Sequence, residues 1–96
     1  MNRRSHFKFH LYVAGDAPNS AKAIANLATF CRTHLAERYE IEIVDVFREP
    51  KRALAEGIFM TPTLIALTPP PVRRIVGTLS HTQTVLLALG LVGLAE

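Results

Sequence analysis

The chain has 96 residues, 49% apolar and 20% charged, with 11 Lys and Arg against 8 Asp and Glu for a formal net charge of +3. That length fits one domain and that apolar share supports a buried core, which excludes wholesale disorder. The small basic excess falls short of the stripe of a dedicated nucleic-acid binder, and a single cysteine, Cys31, excludes an internal disulfide or a cysteine-rich zinc site. The longest apolar run, Val85 to Ala95, is about half the ~20 residues of a membrane span. No secretory h-region follows the polar N-terminus, residues 1–6, which is expected to be flexible. The expected setting is cytoplasmic and reducing, with no nucleic-acid or membrane partner.

Phe7, Phe9, Leu11 and Val13 alternate with Lys8, His10 and Tyr12, the period-two pattern of a strand. Gly15 to Asn19 breaks it and supplies helix-start residues. From about Asn19 to Ala36, Ile24, Leu27, Ala28, Cys31 and Leu35 recur at three- and four-residue steps, which predicts a helix with one apolar face. Ile41 to Val46 is β-branched and short, a second strand, parallel to the first if the two share a sheet. Glu49-Pro50 starts a short helix that Gly57 stops. Thr63 to Leu67 reads as a third strand and Val72 to Val76 as a fourth, joined antiparallel by Thr68-Pro69-Pro70-Pro71.

Ser80-His81-Thr82-Gln83 has capping-box form and predicts a helix from about His81. The run beyond it is ambivalent: Val85, Leu87, Leu89 and Leu91 fit a strand, while Val85, Leu89 and Val92 fit a helix, and Gly90 and Gly93 each cost a helix ~1 kcal/mol. The whole reads as α/β: one thioredoxin-like domain over residues 1–96, of order β-α-β-α-β-β-α, with helices on both faces of one sheet.

Thioredoxin-type redox chemistry needs an attacking thiolate at the first strand-to-helix turn. Gly15 to Ser20 holds no sulfur, and Cys31 falls about three turns along the helix on its apolar face, where a buried inert thiol is expected. His6, His10, His34 and His81 lack ligand spacing, so no metal site is expected. Ser20 has no histidine base nearby in sequence, and no Gly-Lys-Ser/Thr phosphate loop is present. No catalytic residue and no cofactor is expected. Arg73 and Arg74, as strand neighbours, should face opposite sides, one over a helix and the other towards solvent or a partner; solvated charge and a carboxylate contact are both open. The basic cluster Arg48, Lys51 and Arg52 is either a solvated face or a docking site.

Two resemblances meet on these residues. The second half resembles thioredoxin through Thr61-Pro62-Thr63-Leu64 and Val76-Gly77-Thr78-Leu79-Ser80, and in such proteins the proline of the first segment is cis. More specifically, Leu11-Tyr12-Val13-Ala14-Gly15, Pro18-Asn19-Ser20, Asp45-Val46, Thr61-Pro62-Thr63-Leu64 and Pro69-Pro70-Pro71-Val72-Arg73-Arg74-Ile75 resemble, in this order, the KaiB family of circadian-clock proteins over residues 7 to 92. The resemblance implies a non-enzymatic regulator that passes between a self-associating ground state, a dimer or tetramer, and a monomeric thioredoxin-like state. The latter docks on the hexameric ATPase KaiC, recruiting KaiA or displacing the sensor domain of the kinase SasA. The ground-state pairing is the alternative arrangement for residues after 50.

On that resemblance the partner-binding candidates are Lys51, Arg52, Arg73, Arg74 and Glu42. The switching joints are Gly57, Thr61, Pro62, Pro69, Pro70, Pro71, Gly77, Ala88 and Gly90. X–Pro bonds exchange isomers in tens to hundreds of seconds, slow enough to time a switch, while a rigid turn is the plainer reading. The chain departs from the family at Glu42, where lysine is common and which counts against a KaiA-type partner, at Thr78, at Ala88-Leu89-Gly90, and in stopping at Glu96 without the acidic tail many clock members carry. Alanine at 88 in place of glycine favours helix by ~1 kcal/mol and so the thioredoxin-like form. A stress-signalling adaptor outside a clock is the second reading, and a thiol enzyme using Cys31 the third.

Overall fold

A computed structural model describes residues 5–91. The alternating apolar residues of β1 (Phe7–Val13) point Phe7, Phe9, Leu11 and Val13 into one core and Tyr12 into another. After the turn, Pro18 occupies the first helical position of α1 (Pro18–His34), where its fixed φ and missing N–H cost nothing. The chain returns as β2 (Tyr39–Asp45), parallel to β1 from Phe7↔Tyr39 to Val13↔Asp45. Helix α2 (Pro50–Ala55) again begins with proline. Strand β3 (Thr63–Thr68) pairs antiparallel with the other side of β1, β4 (Arg73–Val76) pairs antiparallel with β3, and α3 (Thr82–Ala88) follows.

The sheet order is β2-β1-β3-β4. One core packs Phe7, Phe9, Leu11 and Val13 with Leu64 and Ala66 against Leu27, Phe30 and Cys31 of α1 and Val85 and Leu89 of α3. The smaller core on the opposite face joins Tyr12, Val44 and Ile65 to Ala53 of α2 and Ile58. The thioredoxin-like order and the two-sided sheet expected from sequence are what the chain forms. The Thr61–Pro62 bond is cis, as the thioredoxin resemblance implies, and so are Thr68–Pro69 and Pro70–Pro71.

Two local readings need correction. The buried stripe of α1 runs through Ser20, Ala23, Leu27, Phe30 and Cys31, so it is rotated from the predicted one. Ile24, expected inside, is 38% exposed and lines a shallow groove with Ile43 of the edge strand β2. The Ser80 capping box does not form: Leu79 takes a left-handed φ of 64°, and His81, not Ser80, becomes the N-cap of α3. Gln83 is then one residue short of the N3 position a capping box needs, and the Ser80 hydroxyl accepts from Thr78 Oγ1 at 3.1 Å instead. The ambivalent segment adopts its helical period, with Val85 and Leu89 buried one turn apart and Leu87 exposed; its Val92 and Gly93 lie outside the described residues. So do residues 1–4 of the expected flexible N-terminus, while the Ser5 and His6 carbonyls accept from Arg38 Nη1 and Thr68 Oγ1.

Leu27 is buried between α1 and the sheet, so Leu27→Ala should lower unfolding stability by about 2–5 kcal/mol in a urea titration. A change under about 0.5 kcal/mol would contradict this packing.

Candidate functional site

At the carboxyl ends of β1 and β2, where thioredoxin-type chemistry would sit, Asp45 ties two loops together. Its Oδ1 accepts from the Gly15 N–H at 3.2 Å and the Phe47 N–H at 2.9 Å. Ser20, buried at the start of α1, accepts from the Ala14 N–H at 3.0 Å through Oγ. That bond closes the turn, and no base stands beside the hydroxyl. Cys31 is fully buried in the α1 core, and burial pushes its thiol up to about 12. At neutral pH almost none is thiolate, the form that attacks. The histidines are dispersed: His6 meets Glu40 at 3.1 Å, His10 meets Glu42 at 3.3 Å, and His34 packs on the Phe30 ring. Among the described residues no group of three or more His, Cys, Asp and Glu comes together around a common point.

The surface around α2 is different. Phe47 before the helix, Leu54 on it, and Phe59 and Met60 after it are 73%, 72%, 88% and 62% exposed. Local geometry explains their position: the helix turns Ala53 into the small core, so Leu54, 100° further round, faces outward. Gly57, at φ 69°, then ends the helix, and the chain leaves through Phe59 and Met60 to Thr61 and the buried Pro62. Arg48 and Lys51, before and on the helix, are exposed as well.

Of the residues singled out from sequence, Lys51 lies free on this surface, while Arg52 and Glu42 bind each other. Arg52 Nη1 and Nη2 donate to Glu42 Oε2 and Oε1 at 2.7 and 2.8 Å, a two-point fork that fastens α2 to β2, with Glu49 Oε1 at 3.4 Å. The fork holds the Glu42 carboxyl below its ordinary range and raises the guanidinium further. Beneath it, burial raises the Tyr12 phenol. Arg73 and Arg74 do face opposite sides, and both are occupied within the chain. Arg73 Nη1 donates to the Leu89 carbonyl at 2.8 Å, and Arg74 donates through Nη1 to the Gly57 carbonyl at 3.2 Å and through Nη2 to the Glu56 carbonyl. The expected joints Gly57, Thr61, Pro62, Pro69, Pro70, Pro71, Gly77, Ala88 and Gly90 fall at the ends of α2, β3, β4 and α3. Sequence reasoning missed Phe47, Leu54, Phe59 and Met60; three large apolar residues, Ile58, Phe59 and Met60, between a helix-stopping glycine and a proline were the available signal.

The KaiB domain family model matches residues 10–91. The chain belongs to the KaiB family. Similar family members include the circadian clock protein KaiB3 of Synechocystis, 46% identical over 82 residues, covering 85% of this chain and 80% of that one. The circadian clock oscillator protein KaiB of Synechococcus sp. (strain RCC307) is 41% identical over 91 residues, covering 95% and 83%. Among solved structures, the N-terminal domain of SasA from Synechococcus elongatus superposes with a TM-score of 0.70 at 18% identity, covering 90% of this chain and 79% of that one. Chloroplastic thioredoxin z gives 0.74 at 16% identity, covering 90% and 78%. The last two likenesses carry the thioredoxin-like fold of this KaiB family member, which lacks a cysteine at the first turn. No helix among the described residues is long and apolar enough to cross a membrane.

Two outcomes check this site. A thiol reagent should leave Cys31 unmodified in the folded protein and label it on unfolding; rapid labelling of folded protein would refute its burial. In an NMR titration Glu42 should protonate below the ordinary carboxylate range, and Arg52→Met should bring it back up. Because the folded carboxyl is depressed, the pair stabilises the fold above the ordinary range and ceases to as acidification protonates Glu42.

Proposed function

We propose that this KaiB family member is a non-catalytic regulator that docks on a KaiC-type hexameric ATPase and modulates its phosphorylation cycle. The observation that carries the reading is the exposure of Leu54, Phe59 and Met60, on and just after the helix that carries the exposed Lys51. Large apolar residues grouped and rimmed by charge mark interaction surfaces. The rest of the chain supports it by what it offers chemistry: a first turn with no sulfur, a protonated buried thiol and a serine used as a structural acceptor. The relatives named as clock proteins support a partner from a clock system. Lys51 is the charged docking residue, while Arg52 and Glu42 brace the helix that presents it. A SasA-type kinase is the competitor, since its N-terminal domain shares this fold; a KaiA-type protein is the weakest partner candidate because Glu42 is already engaged. The proposed setting is the bacterial cytoplasm.

The second arrangement of residues after 50, and self-association as a dimer or tetramer in it, belong to the same proposal. Helix α3 has seven residues, too few to be stable alone, and its sequence carries a strand period as well. The joints would be Gly57, Thr61, Pro62, Pro69, Pro70, Pro71, Gly77, Ala88 and Gly90, with Ala88 tilting the free chain towards the form described above.

The test is calorimetry of the purified chain against a KaiC-type hexamer with nucleotide bound. Leu54→Ser, Phe59→Ser and Lys51→Glu should each weaken binding by about tenfold or more, with Glu37→Gln on the α1 side unchanged. Parent-like binding by all three variants would displace the site, and no binding by the parent would favour an adaptor in stress signalling.

A further inference from the structure

Helices α2 and α3 lie on opposite faces of the sheet, yet their ends are built alike. In α2 the Gly57 N–H bonds the Leu54 carbonyl at 3.0 Å and the Ile58 N–H the Ala53 carbonyl at 2.9 Å. In α3 the Gly90 N–H bonds the Leu87 carbonyl at 3.1 Å and the Leu91 N–H the Leu86 carbonyl at 2.8 Å. Both are Schellman ends, each with a left-handed glycine, φ 69° and 72°, and each with an apolar residue following that packs on its own core. Such an end leaves one or two carbonyls without a partner, at the negative pole of the helix.

Both sets of carbonyls are satisfied from the same place. Arg73 and Arg74 are consecutive on β4 and pair with Ala66 and Ile65, which belong to different cores. Strand alternation therefore sends one guanidinium to each face. Arg73 caps the Leu89 carbonyl of α3, and Arg74 caps the Glu56 and Gly57 carbonyls of α2. A Cβ on Gly90 would meet Arg73 Nη2 at 3.4 Å, and one on Gly57 would meet Arg74 Nη2 at 3.7 Å, so each guanidinium lies over the glycine of the helix it caps.

We infer that β4 is a clasp that couples α2 to α3 through the sheet. The strand is four residues long at the sheet edge, hydrogen-bonded only to β3, and the two caps grip it from either side. Withdrawing one cap loosens the strand, and a loosened strand withdraws the other. A change at the end of α2 is thereby felt at the end of α3 without contact between the helices. This coupling is independent of the docking proposed above and is tested without any partner.

The experiment is amide hydrogen exchange by NMR on the full chain, read at Gly57 and Ile58 for α2 and at Gly90 and Leu91 for α3. Arg73→Gln should lower protection about tenfold at Gly90 and Leu91 and also about threefold at Gly57 and Ile58. Arg74→Gln should do the converse, and the double variant should lose less than the product of the two. Arg48→Gln, outside the clasp, should leave all four amides unchanged. Effects confined to each variant's own helix, with a multiplicative double variant, would overturn the coupling. If either glutamine variant fails to fold, the lysine variants, which keep the charge but lose the planar fork, give the same readout.

Discussion

Strand β1 is hydrogen-bonded along both edges and covered on both faces, and the other elements take their places around that double burial. Its Phe7, Phe9, Leu11 and Val13 require an apolar cover, which α1 supplies, and its Tyr12 requires another, which falls to the short α2 and Ile58. A crossover through α1 makes β2 parallel to it, and the tight return through β3 and β4 makes the other half antiparallel. The two cores are unequal. The larger holds two helices; the smaller is closed by one two-turn helix, fastened by the Arg52–Glu42 fork and the Arg74 cap. The helix that closes the smaller core also presents the exposed Leu54.

Much of this order was legible in the sequence because the elements are strongly patterned. Period-two alternation located β1, proline at the first helical position located α1 and α2, and neighbouring arginines on a strand had to diverge. What escaped was set by tertiary contacts. The buried α1 stripe runs through Ser20, Ala23 and Phe30 rather than Ile24, a rotation set by the sheet it packs on and not by hydrophobicity counting along the helix. The capping box failed because Leu79 turned left-handed to bury its side chain, moving the helix start by one residue. The same limit applies to the candidate surface. Charge at 51, 52, 73 and 74 was visible, but that three of the four guanidinium and ammonium groups are spent inside the chain depends on partners 10 to 18 residues away. Among the four, Lys51 has no ion pair or side-chain hydrogen bond to another described residue.

The fold is thioredoxin-like. Where a nucleophile would stand, the first turn is closed by Ser20 and Asp45, and the one sulfur that could react is protonated in the α1 core. The arginine clasp gives this fold a property a rigid adaptor lacks, since the surface at α2 and the terminal helix answer to a single edge strand.

The most direct measurement is hydrogen–deuterium exchange of the chain alone and saturated with a KaiC-type hexamer. The account predicts new protection over residues 47–60 on binding, with α1 unchanged. Protection centred on the outer side of α1, with residues 47–60 exchanging as in the free chain, would contradict it.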